Sequence, residues 1–102
     1  MLWAGSKTNA SGNITLSENA TKYYDLLEVH TMTNTEYFID YIRTDKKSST
    51  IQHASGNTGA YTTEYRAHIT VLVDGTTFTI QGTGYNNVNW QIGVWCIYGI
   101  KF

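Results

Sequence analysis

The stretch that most restricts the fold is "YRAHITVLVDGTTFTIQG", residues 65–82. Ala67, Ile69, Val71 and Val73 alternate there with Arg66, His68, Thr70 and Leu72. Successive side chains of an extended strand point to opposite faces, so this period of two specifies a strand with one apolar face. Asp74-Gly75 follows, and Phe78 and Ile80 resume the alternation. A strand, a tight turn and a returning strand are the elements of a β-hairpin.

The rest of the chain reads the same way. "LWAGS" and "NITLS" are strand-like and are separated by "KTNASG", a polar loop ending in glycine, which signals a first hairpin. In "YYDLLEVHTMT", residues 23–33, neither face is wholly apolar, as in a strand partly covered on both sides. "TEYFIDYI", residues 35–42, satisfies both helical and strand spacing, and its aromatic and isoleucine content favours the strand. "TDKKSST" reads as a loop, "IQHAS" as a short strand and "GNTGA" as a turn. The closing "IGVWCIYGIKF" is apolar on both faces, which marks a central or interface strand. Seven or eight short strands divided by turns predict an all-β fold, a small antiparallel β-barrel or sandwich. With 102 residues and no linker or internal repeat, residues 1–102 read as a single domain. The start "MLWAGS" enters a strand pattern almost at once, as expected of a domain excised from a longer protein.

Charge and composition narrow the function. A net charge of -1 gives no electrostatic footprint for nucleic acid, and Arg43, Lys46 and Lys47, interrupted by Asp45, read as a solvated loop. No apolar run is long enough for a membrane span, so no membrane insertion is expected. A single cysteine, Cys96, can form neither an internal disulfide nor a zinc site, and its apolar surroundings suit a small buried hydrophobe. The compact signatures of hydrolases, metalloproteases, P-loops and dinucleotide sites are all missing, so no enzyme, cofactor or metal is expected. His30 and His68 fall within strand patterns and read as structural residues; His53 lies beside a glycine-rich turn. The sequons at Asn9, Asn13 and Asn19 read as products of an asparagine- and threonine-rich composition.

"GTGYNNVNWQIG", residues 82–93, sets a tyrosine and a tryptophan among asparagines and glycines. A sugar offers a patch of C–H groups, which a flat ring can cover, and a rim of hydroxyls, which amides can bond. Tyr85 and Trp90 are therefore candidate platforms, with Asn86 and Asn89 as hydroxyl partners; Asp45 and His53 are an acceptor and a donor from other loops. The bland alternative stands beside this reading. Asn and Gly are ordinary turn residues, and Trp90 can equally be the first inward residue of the last strand.

Three segments also carry a family resemblance: "LWAGS", then "GNITLSENATKYYDLLEV", then "IYGIK". The pattern LWSG, a turn, G-x-ITLSE, Y-D-x-L-x-V and a closing IYGI strand is similar to C-terminal domains of tail proteins from phages of Gram-positive hosts. Here it falls on Leu2, Trp3, Gly5, Gly12, Ile14, Leu16, Ser17, Tyr24, Asp25, Leu27, Val29 and Ile97 to Ile100, with Ala4 where serine is more usual. Together with the length, this resembles the receptor-binding head of lactococcal siphophages. The resemblance implies a trimeric β-barrel head at the tail tip of the virion that attaches to host cell-wall polysaccharide without catalysis. The matched residues are hairpin glycines and alternating apolar positions. Residues 34–92 match no pattern of the family, so the site candidates rest on their chemistry alone. Trp3, and Trp95 within a strand apolar on both faces, suggest more apolar surface than one small core covers, which agrees with a homotrimer. Three weak sites on one rigid body gain affinity by avidity, roughly 10²–10⁴-fold. The alternative is a structural knob that nucleates trimerisation of a tail fibre and binds no sugar.

Overall fold

A computed structural model describes residues 1–8, 12–33, 36–56, 64–86 and 91–102. They form eight strands and one helical turn: β1 (Trp3–Thr8), β2 (Gly12–Thr15), α1 (Ala20–Tyr23), β3 (Leu26–Met32), β4 (Tyr37–Arg43), β5 (Ser48–Gly56), β6 (Glu64–Asp74), β7 (Thr77–Tyr85) and β8 (Gly93–Ile100). Two four-stranded antiparallel sheets have the orders β1-β8-β3-β4 and β2-β7-β6-β5. The sheets do not close on one another, so of the two all-β expectations the sandwich holds.

The alternation in residues 65–82 does what its period dictates. Ala67, Ile69, Val71 and Val73 are buried, and across β7 so are Phe78 and Ile80. Gly75 takes φ 62° at the first position of a two-residue loop between Asp74 and Thr77, where a primed hairpin turn demands positive φ. Opposite this layer, β3 and β8 supply Leu27, Val29 and Ile97, each 0% exposed. Burying one such side chain contributes about 1.5–3 kcal/mol, so these two inner faces hold the sandwich shut. Strand β8 lies between β1 and β3, the central position its apolar faces predict.

Two expectations fail. The segments "LWAGS" and "NITLS" do not pair: β1 joins β8 and β2 joins β7, in different sheets. The strands instead nest, first with last and second with seventh, each pairing within its own sheet with a strand distant in the chain. Residues 20–23 are a helical turn, so Tyr23, read as the start of a strand, is helical. Asn19 caps it, its side-chain oxygen accepting from the Lys22 N–H at 3.0 Å, which satisfies an otherwise orphan donor.

Edge strands β4 and β5 meet where the sandwich is open. Asp40 of β4 points inward and binds His53 Nε2 at 2.7 Å, while the buried Thr31 hydroxyl donates to the same carboxylate oxygen at 3.1 Å. Phe38 stacks on the His53 ring with centroids 3.7 Å apart. A polar pair under a flat ring therefore ties one sheet to the other along this seam.

Candidate functional site

A cleft of about 570 Å³ opens at the end of the β5-β6-β7 ladder. Gln52 and His53 come from β5, Arg66 and His68 from β6, and Tyr85 and Asn86 from the end of β7, with Ala54 and Ala67 completing the wall. A β-bulge builds it. Thr70 pairs with Gly82 but Val71 pairs with Ile80, so Gln81 is an extra residue on β7. Directly opposed residues of antiparallel strands share a face, and the extra residue inverts that parity. Before the bulge Phe78 and Ile80 point inward; beyond it Thr83 opposes Ile69 and Tyr85 opposes Ala67. Tyr85 thus lies on the inner side but past the last large core residue, 48% exposed.

The same inversion turns Gly82 and Gly84 outward, opposite Thr70 and His68. With no side chain at Gly84, the His68 ring lies across its backbone; a Cβ there would overlap the ring. A Cβ on Gly82 would meet nothing within 4 Å.

Of the six residues singled out from the sequence, Tyr85, Asn86 and His53 converge on this cleft. His53 is not the loop residue expected: it lies within β5, and with Asp40 bound and Phe38 stacked its side chain is only 14% exposed. Asn86 is exposed, but its side-chain oxygen accepts from the Arg66 N–H at 2.8 Å while its own N–H donates to the Arg66 carbonyl at 3.0 Å. It shapes the rim by closing the end of the ladder. Asp45 does not join them. It sits in the turn between β4 and β5, where Arg43 grips it at 2.9 and 2.6 Å, and the guanidinium holds its carboxyl below the usual range. It lines a separate cleft of about 360 Å³ with Asp25, Thr44 and Phe102. Eight residues at about 3.3 Å each separate it along the strand direction from His53. Trp90 and Asn89 lie outside the described residues.

Arg66, His68 and Gln52 were not anticipated as site residues. His68, expected to be structural, is exposed in the cleft. The signal was present, since Arg66 and His68 alternate with buried Ala67 and Ile69 and so must face outward. Which outward residues adjoin Tyr85 depends on the bulge. Pleat alternation puts the His53 and Tyr85 side chains on the inner side of the sheet and those of Gln52, Arg66 and His68 on its outer side, so the cleft is bounded from both, and among the described residues no carboxylate lines it. Among the described residues no three His, Cys, Asp or Glu side chains gather to hold a metal ion.

A second concentration of aromatic side chains covers the outer face of the other sheet. Tyr37, Ile39 and Tyr41 are 73%, 54% and 57% exposed, and Trp95 is 37% exposed. Trp95 is itself the extra residue of a bulge: His30 pairs with Cys96 and Thr31 with Val94. Its ring meets Tyr37 and His30 edge-on, at 6.3 and 5.4 Å. In the middle, Glu28 accepts from Tyr41 at 3.1 Å and contacts His30 at 2.7 Å, and these contacts, His30 first, lower the Glu28 pKa. No family model matches this sequence, and a search of curated proteins found no match.

Proposed function

We propose that this chain is a non-catalytic, saccharide-binding attachment domain, the receptor-binding head of a phage tail tip that engages host cell-wall polysaccharide as a homotrimer on the virion. The observation that carries the reading is the convergence of Tyr85, Asn86 and His53, chosen for sugar chemistry, on one cleft with Arg66 and His68. A half-exposed ring provides a surface for the C–H face of a pyranose, and donors around it suit hydroxyl and ring oxygens. Both sit on a rigid sheet, so little order has to be created on binding.

The test is whether the purified chain binds cell walls of a susceptible Gram-positive host and, in excess, blocks adsorption of the phage. Tyr85→Ala with an unchanged melting temperature should weaken wall binding. A folded chain that binds no wall polysaccharide favours the structural knob, and degradation of the polysaccharide by the pure chain overturns the non-catalytic assignment.

A further inference from the structure

We infer that the outer face of the β1-β8-β3-β4 sheet is the surface on which copies of this chain meet. The inference specifies the contact behind the proposed homotrimer and makes no use of sugar binding. Register puts Tyr37, Ile39 and Tyr41 of β4, Met32 of β3, and Trp95 and Tyr98 at β8 on this one face.

Area argues first. At 150–250 Å² per aromatic side chain, the exposed fractions of Tyr37, Ile39, Tyr41 and Trp95 leave roughly 400–450 Å² uncovered. That is already within the size of the largest patch on a typical monomer, about 300–600 Å². Half-buried Met32 and Tyr98 extend it toward the roughly 800 Å² that one side of a standard interface contributes. Three strands at about 4.8 Å spacing and seven residues at about 3.4 Å outline a face of roughly 340 Å² in plan, comparable with the uncovered area of these side chains.

Charge selects the occupant. Glu28, at the centre, is already bonded by His30 and Tyr41, so covering it strands no unpaired carboxylate. Arg43, at the rim, is held by Asp45. Both charged groups are already held by partners of their own chain, so covering them against a second copy leaves neither unpaired, and neither is free to draw a strongly charged partner. Tyrosine and tryptophan with few charges are the composition of an interface core. The edge-on arrangement of Tyr37 and His30 against Trp95 gives interlocking ridges instead of the coplanar rings a flat sugar chain would need. Two sheets packing through interdigitating side chains is the geometry that already forms this protein's own core.

The experiment is sedimentation equilibrium of the purified chain across the micromolar range. Wild type should associate, and Tyr37→Lys/Ile39→Lys should weaken association at least about tenfold, as expected for residues at an interface centre. Ser48→Lys/Thr50→Lys, which adds the same charge to the outer face of the other sheet away from the cleft, should leave it unchanged. Should the first variant fail to fold by circular dichroism, Tyr41→Lys, at a side chain more than half exposed, reads the same question. A wild type that stays monomeric throughout overturns the inference and assigns the face to a different partner; so does association that survives lysines here and is lost with lysines on the other sheet. A chain that associates through this face yet ignores cell walls sinks only the saccharide reading.

Discussion

On the outer face of one sheet Tyr41, Glu28 and Tyr98 lie in a row across three strands; on the outer face of the other, the corresponding row is Gln52, His68 and Gly84. The backbones are alike, and buried apolar residues flank the middle of both rows, Leu27 and Val29 in one sheet and Ala67 and Ile69 in the other. Alternation therefore settles only the covered half of each strand, and the outward half is free to carry different tasks. The first row is broad, aromatic and internally hydrogen-bonded, which suits contact with another extended surface. The second is narrow, rich in donors and interrupted by glycine, which suits a small polar ligand. Each face owes its character to a bulge, at Trp95 in one and at Gln81 in the other.

The comparison can be broken most forcefully where the two sheets are joined. Asp40→Ala removes the partner of His53 and the acceptor of buried Thr31, and should cost about 2 kcal/mol of stability in urea unfolding. Loss on that scale shows that the β4 strand of the aromatic face supports the cleft behind it. A neutral result would separate the two regions.

Tyr85→Ala should weaken saccharide binding on the order of tenfold, equivalent to about 1.4 kcal/mol, with little change in melting temperature. Tyr41→Ala should leave saccharide affinity unchanged by calorimetry. Equal losses from both would erase the division of labour between the faces.

The glycines offer a finer discrimination. Gly84→Ala drives a methyl into the His68 ring and should shift that ring's NMR signals and lower saccharide affinity a few-fold. Gly82→Ala, two residues away on the same face, enters open space and should be neutral or stabilising by about 0.4–1 kcal/mol, by restricting the unfolded chain.

The smallest effect concerns Glu28. Its folded pKa is lowered, first by the His30 contact. A depressed carboxyl pKa contributes stability above the unfolded value, near about 4.3, and loses it as pH falls through the folded value. Melting temperature followed into acid should therefore fall less steeply for Glu28→Gln than for wild type, the two differing most at neutral pH and converging in acid.

Much of the candidate site was legible because it depends on residue type at the end of a hairpin. The ring and amide at Tyr85 and Asn86 stood out from the turn around them, and both line the cleft. Asp45 failed as a partner for a local reason: Arg43 lies two residues away and captures it. His53 was selected as a loop donor, and the structure makes it a half-hidden seam residue whose carboxylate lies thirteen residues back in the chain.

From its sequence alone this protein is committed to strands: a period of two through residues 66–73, a glycine at a hairpin position that takes positive φ, and a last strand apolar on both sides that had to be central. Those properties are local, since each strand's pleat separates its own faces. Tertiary structure decided which strand sits beside which, that β1 and β2 part into different sheets, and where one extra residue inverts a face. Pairing and register compare distant segments across a shared core, and a single inserted residue reverses every side chain beyond it. The cleft exists because Gln81 is that residue.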